Sequence, residues 1–138
     1  MAELNGLTIV YDLDKTLCTK KEHNQSYLEV LPLMENVNIL NELHASGAEI
    51  IIDSARNMVT QSNDESKVIK NVGLDTMNWL DIHNVQYDGL RFAKPYGHVY
   101  IDDKALRPRE FKKIYDSLKD KSDLNELRKA IEKYLEEN

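Results

Sequence analysis

Apolar runs, polar stretches and segments of helical period follow one another in order along this chain. Leu7-Thr8-Ile9-Val10-Tyr11 is a β-branched apolar run that reads as a buried parallel strand. A polar segment at 18–27 has neither helical nor strand period and reads as a loop. Pro32 then opens a helix, where its missing N–H costs nothing. Leu33, Val37, Leu40 and His44 form its stripe, with Ile39 and Leu43 beside it, and Gly47 ends it. His44 near that end is a cap or surface residue rather than a ligand.

A second strand at 48–53 leads into Ser54-Ala55-Arg56-Asn57, and 58–64 is polar. Ser62-Asn63-Asp64-Glu65 fits a capping box for the next helix. That helix carries Val68, Ile69 and Val72, breaks at Gly73, and resumes with Leu74, Met77, Trp79 and Leu80 inward. A third strand around Gly89-Leu90-Arg91-Phe92 is stopped by Lys94-Pro95. His98-Val99-Tyr100-Ile101-Asp102-Asp103 reads as a fourth strand ending in two acids. Pro108 opens a helix with Phe111, Ile114, Tyr115 and Leu118. From Ser122 a final amphipathic helix carries Leu124, Leu127, Ile131, Tyr134 and Leu135 on one side, a stripe for docking on the parent domain or for a dimer contact.

Strands alternating with helices predict an α/β fold with a parallel sheet covered on both faces. A chain of 138 residues gives one domain, with its core over about 5–118 and the last helix over about 122–136. The strand ends of such a sheet share one edge, where ligands bind. Asp12 and Asp14, Ser54, Lys94, and Asp102 and Asp103 would converge there.

Composition narrows the function classes. With 41% hydrophobic and 30% charged residues the chain suits a soluble globular protein. A net charge of −6 argues against a nucleic-acid surface, since phosphate backbones attract basic faces. One cysteine, Cys18, cannot form an internal disulfide and reads as a small packing residue, so the cytoplasm is the expected compartment. No signal peptide is evident after Met1, and no apolar run reaches the roughly 20 residues that span a bilayer, so no membrane partner is expected.

Clustered carboxylates repel and raise one another's pKa unless a cation holds them. A lone Asp-x-Asp also reads as a loop aspartate capping a turn. Three or four carboxylates with a lysine and a hydroxyl instead suit Mg²⁺ and phosphoryl transfer, where positioning and charge stabilisation do most of the catalysis.

On these residues the chain resembles the haloacid dehalogenase superfamily, on its phosphatase side. Asp12-Leu13-Asp14-Lys15-Thr16 is similar to the first motif, Ser54 to the second, Lys94 to the third and Ile101-Asp102-Asp103 to the fourth. Ser54-Ala55-Arg56-Asn57, Lys94-Pro95 and Tyr100-Ile101-Asp102-Asp103-Lys104-Ala105 further resemble small phosphatases of capsular-polysaccharide biosynthesis. The resemblance implies a three-layer α/β/α sandwich with a mainly parallel, Rossmann-like sheet. It implies a phosphoric monoester hydrolase in which Asp12 is the nucleophile and Asp14 the acid and base. Ser54, Ala55, Arg56 and Lys94 would meet the substrate. Mg²⁺ would be held by Asp12, the Asp14 carbonyl and Asp102, with Thr16 and Asp103 behind them. Lys15 stands where many superfamily members carry glycine.

The intervals from Thr16 to Ser54 and from Ser54 to Lys94 leave no room for a separate cap domain. The site should then be open, shielded by the loops at 18–27 and 57–64 or by a second subunit. Lys20, Lys21 and His23 either contact an anionic substrate or are solvated surface residues. Arg56 is the preferred specificity residue, or a partner of Asp53 or Asp103, while Asp53 itself adds unexplained negative charge. The expected substrate is a small phosphate ester, a sugar or polyol phosphate. A phosphoprotein or nucleic-acid end, or a binding module without turnover, are the alternatives.

Overall fold

The computed structural model describes residues 3–58, 61–62 and 64–138. Its strands are β1 (Thr8–Tyr11), β2 (Glu49–Asp53) and β3 (Gly89–Arg91). The helices are α1 (Met34–Ala45), α2 (Glu65–Ile82), α3 (Pro108–Ser117) and α4 (Leu124–Glu137). The sheet is parallel in the order β1-β2-β3, with Val10 opposite Ile51 and Ile51 opposite Gly89. This α/β architecture agrees with the alternation of patterns along the chain.

Alternation along the strands sends Tyr11, Ile50 and Ile52 into the main core, where they meet Leu40, Leu43, Trp79, Leu80, Tyr115 and Leu127 from the four helices. On the other face Val10 is 60% exposed. A smaller cluster of Met58, Val68, Val72 and Phe92 lies under the turn after β2.

Several expectations are corrected. Pro32 precedes α1 rather than starting it. The Leu33 amide donates to the Leu17 carbonyl at 2.9 Å, so Leu33 is the N-cap and the helix begins at Met34. At the other end Gly47 follows the cap with φ of 105°, as its position after the stripe implied. Ser62 does not cap α2. Asp64 does, accepting from the amides of Ser66 at 3.1 Å and Lys67 at 3.3 Å, where a carboxylate also meets the positive end of the helix dipole. The remainder of the proposed box and of the 57–64 loop includes 59–60 and 63, which lie outside the described residues.

Gly73 does not break α2. One unbroken helix keeps its phase, so Val68, Val72, Thr76, Trp79 and Leu80 are buried while Ile69, Leu74 and Met77 face outward. Placing Leu74 and Met77 in the core required the phase to restart after Gly73. Residues 98–101 are not a strand. The Tyr100 hydroxyl donates to the Pro95 carbonyl at 2.8 Å and accepts from the Gly97 amide at 3.2 Å, folding the segment onto itself. Ile101 is left 94% exposed.

Candidate active site

The chain leaves β1 at Tyr11 and turns at once. The amides of Thr16 and Leu17 donate to the Leu13 carbonyl at 3.2 and 2.8 Å, and Lys15 takes φ of 67°. Leu13 and Leu17 are fully buried and pin the turn from below. Asp12 and Asp14 are thereby held at the carboxyl end of the sheet, where an open α/β fold receives its ligands.

Asp12 is flanked on both oxygens. Thr16 Oγ1 donates to Oδ2 at 3.1 Å, and Lys94 Nζ donates to Oδ1 at 3.3 Å. Lys94 comes from the segment after β3, and its ammonium lies 4.6 Å from the Tyr100 ring centroid. Asp12, Thr16, Lys94, Asp53 and Asp102 line one cavity of about 630 Å³ beside β1. Asn36 of α1 also lines it and donates through Nδ2 to the Thr16 carbonyl at 2.7 Å, tying the turn to the helix.

Asp14 is held by Arg56. Arg56 Nη2 donates to Oδ1 at 2.7 Å and Nε to Oδ2 at 3.2 Å, a bidentate fork on one carboxylate. The Arg56 side chain is 0% exposed and that of Asp14 is 32% exposed. Arg56 Nη1 donates to Thr76 Oγ1 of α2 at 3.1 Å, and the guanidinium carbon stands 4.1 Å from the Tyr27 ring centroid. The Arg56 guanidinium is thus turned inward, four of its five N–H donors taken by Asp14, Cys18 and Thr76. It is paired with neither Asp53 nor Asp103.

The remaining expected residues divide. Ser54 is fully buried, with Oγ accepting from the Arg56 amide at 2.9 Å, which shapes the turn after β2. Ala55 packs against the smaller apolar cluster rather than lining the cavity. Asp102 lines the cavity, but its Oδ1 accepts from the Lys104 amide at 2.8 Å in a local turn. Asp103 is exposed and lies outside that lining. Lys20 and His23 are exposed, and Lys21 stands 5.6 Å over the Tyr27 ring.

Asp12, Asp102 and the Asp14 carbonyl are all oxygen donors, the set that a hard cation such as Mg²⁺ takes. Among the described residues no three Asp, Glu, His or Cys side chains meet as a metal cage. The donor chemistry fits, and Asp12 and Asp102 share a cavity.

Asp53 Oδ1 is buried without a hydrogen-bond partner. Burial raises its pKa above the ordinary carboxylate range, with Asp12 and Glu65 adding to this and Lys94 and Arg91 opposing it. The Cys18 thiol is pushed up to about 12, first by burial and then by the nearby Asp14 charge. Cys18 is thus the packing residue expected, but it also touches the site, its Sγ 3.5 Å from Asp14 Oδ1.

Thr76, Tyr27 and Tyr100 were not anticipated as site residues. Thr76 had a readable signal, since it is a hydroxyl on the stripe Val68-Val72-Thr76-Leu80 at helical spacing. Tyr27 and Tyr100 had none, because their partners Arg56 and Lys94 are remote in sequence or joined by a local fold.

No family model matches the chain, and no curated protein matches it. Among solved structures, the chain is similar to a structural-genomics target from Vibrio cholerae known from a crystal structure. The two are 36% identical over 93% of this chain and 98% of that one, with a TM-score of 0.76. The chain belongs to the same family as that Vibrio cholerae protein.

Proposed function

We propose that this chain is a Mg²⁺-dependent phosphatase of the haloacid dehalogenase type, acting on a small phosphorylated metabolite such as a sugar or polyol phosphate of surface-polysaccharide synthesis. The observation that carries this reading is Lys94 Nζ 3.3 Å from Asp12 at a strand end, with Asp14 fixed two residues on. A carboxylate nucleophile needs a neighbouring cation to bring phosphoryl oxygens to it, and a second carboxyl to move protons.

In the proposed reaction an Asp12 oxygen bonds to phosphorus as the ester P–O bond breaks, and Asp14 gives its proton to the leaving oxygen. Water then bonds to phosphorus as the P–O bond to Asp12 breaks, and Asp14 takes the water proton. Lys94 holds phosphoryl oxygens at Asp12, and Thr16 keeps the Asp12 carboxylate in place. Asp12, the Asp14 carbonyl and Asp102 would hold Mg²⁺, which neutralises charge on the phosphoryl group. The three-layer, capless arrangement of that superfamily and a cytoplasmic location belong to the same reading. The parallel strands support the α/β part of that reading, and the single cysteine supports the location. No described helix is long and apolar enough to cross a membrane.

The purified chain with Mg²⁺ is expected to hydrolyse p-nitrophenyl phosphate and at least one member of a sugar- and polyol-phosphate panel. Asp12→Asn should lower kcat by at least about 10³-fold, since the nucleophile is lost. An Asp12→Asn protein as active as wild type would sink the mechanism. Turnover confined to phosphopeptides would move the substrate class to macromolecules.

A further inference from the structure

We propose that Arg56 is a positioning residue for proton transfer, a buried clamp on the carboxylate of Asp14, two residues after Asp12, rather than a contact for substrate. This rests on the phosphatase reading of the site. The guanidinium is wholly enclosed, bounded by Asp14, Cys18, Thr76 and the Tyr27 ring, so it presents no surface to a substrate in the folded chain. Its fork spends one lone pair on each Asp14 oxygen, at 2.7 and 3.2 Å. A carboxylate carries about four such sites; the Cys18 thiol takes a second one on Oδ1 at 3.5 Å, so Oδ2 keeps one for the migrating proton. The clamp is itself fixed at three points. Its amide donates to Ser54 Oγ at 2.9 Å, Nη1 donates to Thr76 Oγ1 at 3.1 Å, and the Tyr27 ring covers its face at 4.1 Å. Thr76 Oγ1 in turn donates to the Val72 carbonyl at 2.8 Å, which anchors the whole chain of contacts on α2. Planar, bidentate recognition is a property of arginine that lysine lacks.

A clamp on Asp14 makes a specific kinetic prediction. An alkyl ester needs the Asp14 proton on its leaving oxygen, whereas p-nitrophenolate leaves without one. Both esters need Asp14 as base when water attacks the phosphorylated Asp12. Arg56→Lys and Arg56→Gln should therefore lower kcat on an alkyl phosphate by about 10²-fold with KM within about two-fold of wild type. On p-nitrophenyl phosphate the same variants should show a burst of one p-nitrophenol per active site, then slow turnover. Methylguanidinium added to Arg56→Ala should restore part of kcat. Thr76→Val removes one anchor but leaves the fork, and should lower kcat less.

Several results would overturn the clamp. A raised KM with kcat retained would make Arg56 a substrate contact. Equal losses on both esters without a burst, or no loss, would also exclude it. Should the Arg56 variants melt without cooperativity, Thr76→Val decides, and an unchanged kcat there counts against the clamp. Wild-type inactivity over the whole ester panel would overturn the phosphatase reading and the clamp with it. An active wild type with unaffected Arg56 variants overturns the clamp alone.

Discussion

Asp53 and Asp12 end adjacent strands, yet their carboxylates meet opposite treatment. Asp12 has a donor on each oxygen, at 3.1 and 3.3 Å, while Asp53 Oδ1 is buried with none. Desolvation raises the Asp53 pKa in the folded state. A carboxyl so raised favours the protonated form, so the fold holds that proton more tightly than the unfolded chain does. Its contribution to stability is complete at low pH and is lost as pH rises through the raised value. Asp53→Asn removes this titration. The variant should match wild type near about pH 3.5 and exceed it near about pH 7.5, around and well above the ordinary carboxylate range respectively. Urea midpoints across that range check it, and a wild type that gains on the variant as pH rises would refute it. Asp12 and Lys94 were legible because strand-end position and charge are visible in sequence. Arg56 was legible as chemistry but not as geometry, since nothing local reveals that its side chain is enclosed. Lys15 takes φ of 67°, a conformation that glycine reaches at no steric cost.

Among the elements, α2 shows why a glycine is a poor stop signal inside a helical pattern. Breaking at Gly73 would expose backbone groups on a buried surface, whereas continuing lets Val68, Val72, Thr76 and Trp79 share one stripe. Glycine in a helix interior still costs roughly 1 kcal/mol relative to alanine. A Cβ at position 73 would meet Ile69 Cγ2 at 3.4 Å and Ile69 Cβ at 3.9 Å, at the edge of ordinary van der Waals contact. Gly73→Ala should therefore stabilise the protein by about 0.5–1 kcal/mol. An increase in urea midpoint with unchanged slope checks this; a loss of stability would mean that Ile69 cannot give. The segment at 98–101 fails in the opposite direction. Its apolar pattern suits a strand, but Tyr100 satisfies the Pro95 carbonyl and the Gly97 amide locally. A hydrogen bond five residues away in sequence has no periodic signature, so the pattern alone could not disclose it.

For the whole molecule, helical period at the C-terminus left two uses open for the last stripe, docking or dimerisation. The structure answers for Leu127, which is fully buried within the chain in the same cluster as Tyr11, Ile50 and Leu43. Leu124 and Ile131 pack against that cluster at its margin, and the Tyr134 hydroxyl donates to Glu110 of α3. Asp123 caps α4 through the amides of Asn125 at 3.0 Å and Glu126 at 3.2 Å, so the helix starts where its docking face does. A leucine this enclosed carries both its transfer free energy and the cost of the cavity its removal leaves, together about 2–5 kcal/mol. Leu127→Ala should lower unfolding free energy by that amount, and the urea midpoint should not depend on protein concentration. Because Ile131 also lines the cavity at Asp12, loosening α4 should reach the site, and kcat on p-nitrophenyl phosphate should fall together with stability. A midpoint that rises with concentration would show that a second copy completes the core around α4. A loss below about 0.5 kcal/mol would show that the helix is a surface appendage, since only exposed positions are so tolerant.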